Sequence, residues 1–411
     1  MGEAMRDRAL RVMDECGRIA EMTEEPGRIT RRYLSPPMHN VHKHLRDRME
    51  KLGMLVRVDA AGNLRGLWEA RGFGGKRLVI GSHLDSVPNA GAYDGVLGVV
   101  LALEWILLAR DMGLPFAIEV VGFSEEEGVR YGVPFLGSTA VAGCFDRKLL
   151  DLRDEEGILL EQAIRDFGLD PTAIEEARIG RDVIGFIEVH IEQGPVLEAS
   201  GLSLAAVTGI VGQTRGILTF TGQANHAGTT PMHHRRDALA AAAEWVSNVE
   251  ELANRSEGLV ATVGQIRILP NAVNVIPGVA EVSLDCRHGD DAMRTGAAHE
   301  MLARAREIAG RRGLATNWKE LVSQRAVPMD QHLTALMLDA IREAGLPEKK
   351  MTSGAGHDAM IMASRVPATM LFVRSPGGIS HDPSESVRVE DVESSLQVAR
   401  KFLERLASTL R

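Results

Sequence analysis

Five short segments carry imidazole and carboxylate side chains of the kind that bind divalent metal ions. These are GSHLDSV with His83 and Asp85, AYDGVLG with Asp94, SEEEG with Glu125 to Glu127, EVHIEQGP with His190, and GISHDPSE with His381. A single such residue is usually a core group or part of a solvated loop. Several of these segments, however, follow apolar runs typical of buried strands. Their side chains would therefore lie at strand ends or in the loops beyond them, where α/β proteins carry their functional sites.

The ligand types match a pair of divalent ions. Two such ions about 3.5 to 4 Å apart require a bridging carboxylate, with nitrogen and oxygen ligands on either side. Asp94 is the natural bridge. His83 and His190 would complete the coordination of one ion, and Glu127 and His381 would complete that of the other. Zinc and manganese both suit these ligands, as do cobalt and nickel.

Two acidic residues are left with other roles in this scheme. Asp85, two residues after His83, would accept the second imidazole proton and fix its tautomer. Glu126 stands next to the ligand Glu127 without being a ligand itself. It would take a proton from the attacking water and deliver it to a leaving nitrogen. The predicted chemistry is hydrolysis of an amide-like bond.

Composition limits the class of protein. At 411 residues the chain is long enough for about two domains, and its net charge of -9 argues against a nucleic-acid partner. Its three cysteines, Cys16, Cys144 and Cys286, are widely spaced and favour a reducing cytoplasm. The N-terminus lacks the apolar core of a signal peptide, and the longest apolar run is too short to span a membrane. We expect a small-molecule substrate.

The elements that must position these residues alternate along the chain. Residues 1–55 show helical patterns with a Pro-Pro break at Pro36 and Pro37. Helices are predicted over 96–110 and 236–253. The prediction is an α/β fold with a mostly parallel or mixed sheet between helices. Short apolar runs of buried-strand type cover 78–81, 117–122, 183–189 and 369–373.

The middle of the chain follows a different pattern. From residue 209 to about 324 the order is strand, helix, strand, strand and a helix over 290–310, which is typical of a small α+β insertion. The prediction is a catalytic domain made of 1–208 and 325–411, with an inserted domain at 209–324. An edge of the inserted antiparallel sheet could pair with a second copy of the chain.

The motifs together resemble the hydantoinase/carbamoylase branch of the M20 metallopeptidases. That branch contains N-carbamoyl-L-amino-acid, allantoate and ureidoglycolate amidohydrolases and β-ureidopropionases. The resemblance implies the same five metal ligands and the same general base, Glu126. It runs from about residue 20 to the C-terminus and rests on the segments GSHLDSVPNAGAYDG, FSEEEG, EVHIEQGPVLE, NHAGTTPM, NAVNVIPG, LDCRH, SGAGHDA and SHDPSE.

The resemblance also implies substrate-facing residues that spacing alone does not give. The insertion would be a lid that forms a homodimer, with Arg287 clamping the substrate carboxylate. His226 and Asn274, from the partner subunit, would stabilise the oxyanion. The further substrate-facing residues are Gln193, Gln213, Gly356 and His357.

Other readings stand beside these. The cluster His39, His42 and His44 is more typical of a structural helix face than of a metal site. The glycines at 72, 74 and 75 precede a strand and indicate a loop or hairpin rather than a phosphate-binding loop. Arg287 could instead be a salt-bridge residue. His226 and Asn274 could be loop and turn residues.

Three functions remain open. The first is an N-carbamoyl-L-amino-acid hydrolase that releases ammonia and carbon dioxide. The second is an allantoate or ureidoglycolate amidohydrolase of purine breakdown. The third is a catalytically silent binding protein, which retention of Glu126 and all five ligands disfavours. An aminopeptidase or acyl-amino-acid hydrolase is disfavoured because many peptidase relatives carry a carboxylate at the position of His190.

Overall fold

The computed structural model describes residues 4–70 and 75–410. The predicted glycine loop at 72 and 74 lies outside the described residues, while Gly75 lies just before the next strand. The helices are α1 Met5–Ala20, α2 Pro36–Lys51, α3 Val96–Ala109, α4 Leu136–Ala142, α5 Leu160–Asp166, α6 Val196–Ala199, α7 Ala238–Arg255, α8 Asp291–Arg312, α9 Gln331–Glu343, α10 Asp358–Met362 and α11 Val389–Thr409.

Sixteen strands accompany these helices in the described part of the chain. They are β1 Leu55–Val58, β2 Leu64–Trp68, β3 Arg77–His83, β4 Ala117–Phe123, β5 Val183–Ile191, β6 Leu204–Ile210, β7 Gly212–Thr221, β8 Asn225–His226, β9 Val260–Thr262, β10 Ile266–Leu269, β11 Val275–Ile276, β12 Val279–His288, β13 Ala315–Gln324, β14 Val327–Pro328, β15 Lys350–Ser353 and β16 Ala368–Val373.

The chain divides into two compact units. The first contains 1–208 and 329–411, and the second contains 209–328. The predicted insertion, 209–324, begins at the same residue and ends four residues earlier. The first and last residues of the second unit lie next to each other, because the end of β6 pairs with β14. In this pair Ile210 lies opposite Val327.

The first unit is built on a mixed sheet, as the sequence predicts. Its strand order is β1-β2-β4-β3-β5-β16-β6, with β15 also paired to β6. Strands β4, β3, β5 and β16 run parallel to one another, and antiparallel neighbours flank them. Parallel strands end at the same edge of a sheet. The residues that follow β3, β4, β5 and β16 are therefore brought to one side of the unit.

Helix α3 shows how the core of this unit is formed. It is apolar on nearly all sides, and its side chains from Val96 to Ile106 are mostly buried, as expected for a helix covered by other helices and by the sheet. Glu104 interrupts this run and is fully buried. Its carboxylate pairs with Arg8, Arg11 and Arg48 at 3.2, 3.3 and 2.8 Å, and so fastens the two N-terminal helices to α3. No helix of the described chain is long and apolar enough to cross a membrane.

Two expectations about elements are corrected. Pro36 and Pro37 do not break a helix but begin α2, because proline has no N–H to donate and the first turn of a helix leaves its N–H groups unpaired. Strand β13 was not predicted. It alternates exposed and half-buried residues and carries several polar side chains, so it lacks an apolar run.

The second unit is an antiparallel sheet with two helices on one face. Its strand order is β10-β12-β7-β13, with β9 beside β12, and β8 pairs separately with β11. Alternate residues of β7 and β12, such as Phe220 and Leu284, pack with Trp245 of α7 and Met301 of α8. The other residues of these strands face the opposite side. We call this second side of the sheet the open face.

Candidate metal centre

The side chains predicted to bind metal lie at the carboxyl ends of the parallel strands. His83 is the last residue of β3, and His190 is the penultimate residue of β5. Glu126 and Glu127 follow β4 in a loop, and Asp94 precedes α3. The structure thus brings residues from distant parts of the sequence to one site, through strand ends and loops as the sequence implied.

Both buried imidazoles turn the same nitrogen into the site. Nδ1 of His83 lies 3.0 Å from the carbonyl oxygen of Asp85, and Nδ1 of His190 lies 2.8 Å from that of Ile191. A carbonyl oxygen only accepts hydrogen bonds, so each Nδ1 carries the proton and, in the neutral ring, each Nε2 carries a lone pair. The two Nε2 atoms are 3.4 Å apart.

Asp94 points one carboxylate oxygen at the same place. Its Oδ1 is 3.2 Å from Nε2 of His83 and 3.1 Å from Nε2 of His190. These contacts are short but are not aligned as hydrogen bonds, and Oδ1 is buried without a hydrogen-bond partner. Three electron-rich atoms therefore converge on one point. A cation fits this arrangement, because it would satisfy all three atoms at once.

The second oxygen of Asp94 faces a second group of ligands. Its Oδ2 is 3.1 Å from Nε2 of His381, which is 3.4 Å from Oε1 of Glu127. Gln193 and Ser380 both donate to this oxygen, each at 2.9 Å. The His381 side chain is 46% exposed, whereas His83 and His190 are buried. Two neighbouring groups of ligands thus share the Asp94 carboxylate.

Buried carboxyl groups surround the site. Burial alone would raise the pKa of Asp94, but its contacts with His190, His381 and His83 hold that pKa well below the usual range. Burial raises the pKa of Glu126 well above its usual range, although His83 opposes the shift. This excess of carboxylates is a further feature that suits divalent cations. The buried acids around the site are Asp85, Asp94, Glu125, Glu126, Glu188, Asp358 and Glu385.

Glu126 is placed differently from the ligands. Its carboxylate lies within 4.8 Å of the ligand atoms of His83 and Glu127. Among the described residues this carboxylate makes no hydrogen bond, whereas the backbone N–H of Glu126 binds Asp85 and its backbone carbonyl accepts the N–H of Phe135. A carboxylate in this position is available to exchange protons with a reactant in the site.

The predicted role of Asp85 needs a correction. Its carboxylate is 3.9 Å from Nδ1 of His83, and the hydrogen bond goes to its carbonyl oxygen instead. The carboxylate accepts the backbone N–H groups of Glu126 and Glu127 at 3.2 and 3.1 Å. Asp85 therefore orients His83 through its backbone carbonyl. Its side chain orients the loop after β4, which carries Glu126 and Glu127.

Three residues of the site have left-handed backbone conformations. The φ angles are 54° at Glu125, 57° at Gln193 and 58° at His381. Residues other than glycine rarely adopt this region, at a cost of about 1 kcal/mol or more, and such residues cluster at functional sites. Two features require glycine at position 95. Its φ is positive, at 67°, and a Cβ there would lie 2.5 Å from the His83 ring.

Gly356 and His357 border the site in the first unit. His357 is buried, its Nε2 is 2.8 Å from the Ser353 hydroxyl, and its ring centroid lies 4.4 Å from that of His190. Burial, together with the charge at His190, lowers the pKa of His357 well below its usual value, so the ring is neutral. A Cβ at Gly356 would lie 2.8 Å from the Phe135 ring, so this glycine permits close packing.

The second unit places Gln213 and Arg287 directly opposite each other on β7 and β12. Arg287 donates to Asp285 from Nε at 2.9 Å and from Nη2 at 2.8 Å, and Arg215 donates to the same carboxylate at 2.8 Å. Gln213 also donates to Gln324 at 2.9 Å. The salt bridge considered for Arg287 is therefore present. It lies on the open face of the sheet and not in a core.

His226 and Asn274 also lie together in the second unit. They stand on or beside the paired strands β8 and β11, and the carbonyl oxygen of Asn274 accepts the N–H of Ala227 at 2.9 Å. Nδ1 of His226 accepts the N–H groups of Gly228 and Thr229 at 3.0 and 3.2 Å. In the neutral ring the proton is then on Nε2. Both side chains are exposed in their unit, and His226 would present a donor.

The comparison with known families decides the identity. A sequence profile described as peptidase family M20/M25/M40 matches residues 79–405, which is most of the chain. The chain belongs to this family. Its members are metal-dependent and typically hold two metal ions, and this M20 protein is a hydrolase that acts on linear amides.

Several relatives match this M20 protein almost from end to end. It is 37% identical to the allantoate deiminase of Arabidopsis thaliana, over 97% of this chain and 82% of that protein. It is also 37% identical to an N-carbamoyl-L-amino acid amidohydrolase of Geobacillus stearothermophilus, over 92% and 94%. An amidase of the hydantoinase/carbamoylase family from Burkholderia multivorans superposes with a TM-score of 0.91 at 32% identity, over 97% and 98% of the two chains.

Four acidic residues around the site were missed as individual residues by the sequence analysis. Glu125 accepts the backbone N–H groups of Arg130 and Tyr131, and burial, with a contribution from Asp85, raises its pKa to about 8. The others are Glu188, Asp358 and Glu385. Each stands inside a motif already noted and within four residues of a predicted site residue, so the available signal was an acidic residue near a predicted site residue.

The clustered histidines of α2 have no part in the site. Burial lowers the pKa of His42 to about 3, and its ring lies edge-on to Phe167. His39 stacks on the same phenylalanine, and His44 contacts Glu15. The described residues that could hold a metal ion do not include these three, in agreement with their expected structural role.

Removal of metal from this M20 protein should lower its melting temperature. Buried carboxylates repel one another without cations, and a ligand present at a thousand times its Kd stabilises a fold by about 4 kcal/mol. We expect stripping with EDTA to lower the Tm and added Mn²⁺ or Zn²⁺ to restore it, as measured by calorimetry.

Two variants make this test specific to the site. His190→Gln should lose most of the metal response, whereas His42→Gln, which also changes a buried histidine, should keep it. Equal melting temperatures with and without metal would show that the ligand groups do not bind ions.

Proposed function

We propose that this protein hydrolyses the carbamoyl C–N bond of N-carbamoyl-L-amino acids, leaving the amino acid, ammonia and carbon dioxide. The convergence of His83, His190 and Asp94 on one point carries the proposal, because it supplies a metal centre for amide hydrolysis. The substrate class is supported by the similarity to the Geobacillus stearothermophilus enzyme over nearly the whole of both chains.

The metal ligands divide between two ions. His83 and His190 would hold one ion with Oδ1 of Asp94, and Glu127 and His381 would hold the other with Oδ2. Such ions, zinc or manganese and less commonly cobalt or nickel, polarise the scissile carbonyl group and make water a better nucleophile. The hydrogen bonds from Nδ1 to backbone carbonyls fix which nitrogen of His83 and His190 is the ligand.

Glu126 would act as the proton carrier. Its carboxylate lies beside His83 and Glu127 and makes no hydrogen bond within the described residues. It would accept a proton from the attacking water and then pass it to the leaving nitrogen, so that ammonia departs as a neutral molecule. The carbamate left on the amino acid would then lose carbon dioxide, which breaks the second C–N bond and leaves the free amino acid. Asp85 positions it, because the Asp85 carboxylate binds the backbone N–H groups of Glu126 and Glu127.

Arg287 would bind the carboxylate of the substrate. A planar guanidinium forms two parallel hydrogen bonds with a carboxylate, which lysine does not reproduce. The bidentate pair with Asp285 limits the rotation of the Arg287 side chain. Gln213, opposite Arg287 on the neighbouring strand, and Gln193 would contact other polar groups of the substrate.

The protein would work as a homodimer. His226 presents Nε2 as a donor, and Asn274 lies beside it on an exposed part of the second unit. We propose that these two residues stabilise the oxyanion in the site of the partner subunit. Exposed apolar side chains on the same unit, Val260, Ile266, Leu269 and Val273, are consistent with a covered surface.

Allantoate and ureidoglycolate hydrolysis is the second candidate. It is favoured by the similarity to the Arabidopsis thaliana allantoate deiminase and to the allantoate amidohydrolase of Escherichia coli, which is 35% identical over 93% of both chains. These substrates also place a ureido group next to a carboxylate, so the same metal ligands and the same arginine would serve.

The test is hydrolysis by the metal-loaded protein of four substrate classes: N-carbamoyl-L-amino acids, allantoate, ureidoglycolate and N-acetyl amino acids. Ammonia release is measured for the first three classes, and release of the free amino acid for the N-acetyl compounds. An EDTA-treated sample is the control. Turnover of the carbamoyl compounds alone supports the first proposal. Turnover of allantoate or ureidoglycolate instead establishes the second candidate, and turnover of N-acetyl amino acids alone would overturn both.

Glu126→Gln should leave metal binding intact and lower kcat by about a hundred- to ten-thousand-fold, because the amide cannot accept the proton. Metal content by mass spectrometry and steady-state kinetics check this together. Loss of metal in this variant would show that Glu126, and not only Glu127, is a ligand.

A mixture of Glu126→Gln and His226→Ala subunits should be more active than either variant alone. If His226 serves the partner's site, a heterodimer contains one site with both residues intact, and its activity should approach half that of the wild type. The heterodimer is isolated by two affinity tags. An inactive heterodimer would place His226 in its own subunit's site, and a monomeric protein in solution would rule out the exchange.

Arg287→Lys should raise KM for carboxylate substrates by about 10- to 100-fold, which corresponds to the loss of one charge-assisted hydrogen bond. Arg267→Lys is the matched control, because Arg267 also lies on the open face of the sheet and pairs with Glu281. The control should keep its KM. Unchanged kinetics in Arg287→Lys would remove this residue from the substrate site.

A further inference from the structure

Glu385 lies against the loop that carries Asp94, although 291 residues separate the two. Its Oε1 accepts the backbone N–H groups of Tyr93 at 2.8 Å and Asp94 at 3.0 Å. The side chain is buried, with 5% of the residue exposed. One carboxylate oxygen therefore fixes two consecutive peptide groups, including the one from which the Asp94 side chain extends.

The fit between this loop and Glu385 is close. A Cβ placed on Gly91 would lie 2.3 Å from Cβ and 2.4 Å from Cδ of Glu385, so no larger residue can stand at 91 while Glu385 keeps its place. On the other side of Asp94, a Cβ on Gly95 would lie 2.5 Å from the His83 ring. The loop is held between Glu385 and a predicted ligand.

A hydroxyl group links Glu385 to the Asp94 side chain. Oγ of Ser380 is 2.9 Å from Oδ2 of Asp94 and 3.3 Å from Oε2 of Glu385. Ser380 and Glu385 flank His381, so the segment that supplies one ligand also restrains the carboxylate shared by both groups. The backbone and the side chain of Asp94 are thus each held by this segment.

We infer that Glu385 is a positioning residue, which fixes the loop 91–95 so that Asp94 presents one oxygen to each metal ion. Removing its carboxylate frees the N–H groups of Tyr93 and Asp94 and lets the loop relax. The Asp94 oxygens then no longer meet both groups of ligands. This inference rests on the proposed metal centre but not on the identity of the substrate.

Metal binding to the EDTA-stripped protein tests the inference. We expect Glu385→Ala to raise the Kd for Mn²⁺ or Zn²⁺, measured by calorimetric titration, by about 10- to 100-fold, as is usual when a residue that orients a ligand is lost. Glu385→Gln should restore most of the affinity, because its amide oxygen can still accept both N–H groups.

A matched control separates positioning from general stability. Asp154→Ala also removes a carboxylate oxygen that accepts two backbone N–H groups, those of Glu156 and Ile158, and it breaks an ion pair with Arg130. It should lower the Tm and leave the Kd for metal unchanged. Equal loss of metal affinity in Asp154→Ala and Glu385→Ala would overturn the inference.

Gly91→Ala tests the same inference with a second variant, which can be measured even if Glu385→Ala does not fold. The added methyl group collides with Glu385, so this variant should also bind metal more weakly. In a Glu385→Gln background the collision remains and the loss should persist. Metal affinity equal to that of the wild type in Gly91→Ala or in Glu385→Ala would refute the positioning role, whether or not the protein hydrolyses the proposed substrates.

Discussion

Repulsion between buried carboxylates is the constraint on which this structure depends. Among the described residues, seven acids around the site are buried: Asp85, Asp94, Glu125, Glu126, Glu188, Asp358 and Glu385. A buried charge is costly unless it is paired or binds a metal. The fold meets this cost partly with backbone N–H groups, which Asp85, Glu125 and Glu385 each accept in pairs. Glu188 accepts the Ser82 hydroxyl and the backbone N–H of Ala359. The carboxylates of Asp94 and Glu126 instead lie beside imidazoles, in groups that suit cations.

The backbone, more than the side chains, sets the geometry of the site. The carbonyl groups of Asp85 and Ile191 decide which imidazole nitrogen faces inwards. Left-handed conformations turn Glu125, Gln193 and His381 relative to their neighbours. The supporting framework is rigid, because the parallel strands are buried and α3 is covered by other helices. The arrangement thus holds its ligands in place through many main-chain contacts.

Much of the fold could be predicted from the sequence, and so could the residues whose side chains meet at the candidate metal centre. Apolar runs predicted β3, β4, β5 and β16 to within a few residues, because buried parallel strands are continuously apolar. Strand β13 was missed because one of its faces is exposed and polar. The hydrogen bond assigned to the Asp85 carboxylate was wrong, since spacing gives the reach of a side chain but not its direction. Glu385 stands in the SHDPSE motif, but spacing does not show that its side chain turns to the backbone of Tyr93 and Asp94.

The order of the segments along the chain has a consequence for synthesis. The main sheet places β16 between β5 and β6, and the Asp94 loop contacts Glu385. Both β16 and Glu385 leave the ribosome only after the whole second unit has emerged. The second unit contains a continuous stretch of chain with its own core, so it can fold while translation continues. Until then, the first unit has a gap in its sheet between β5 and β6 and lacks His381, one of its candidate metal ligands.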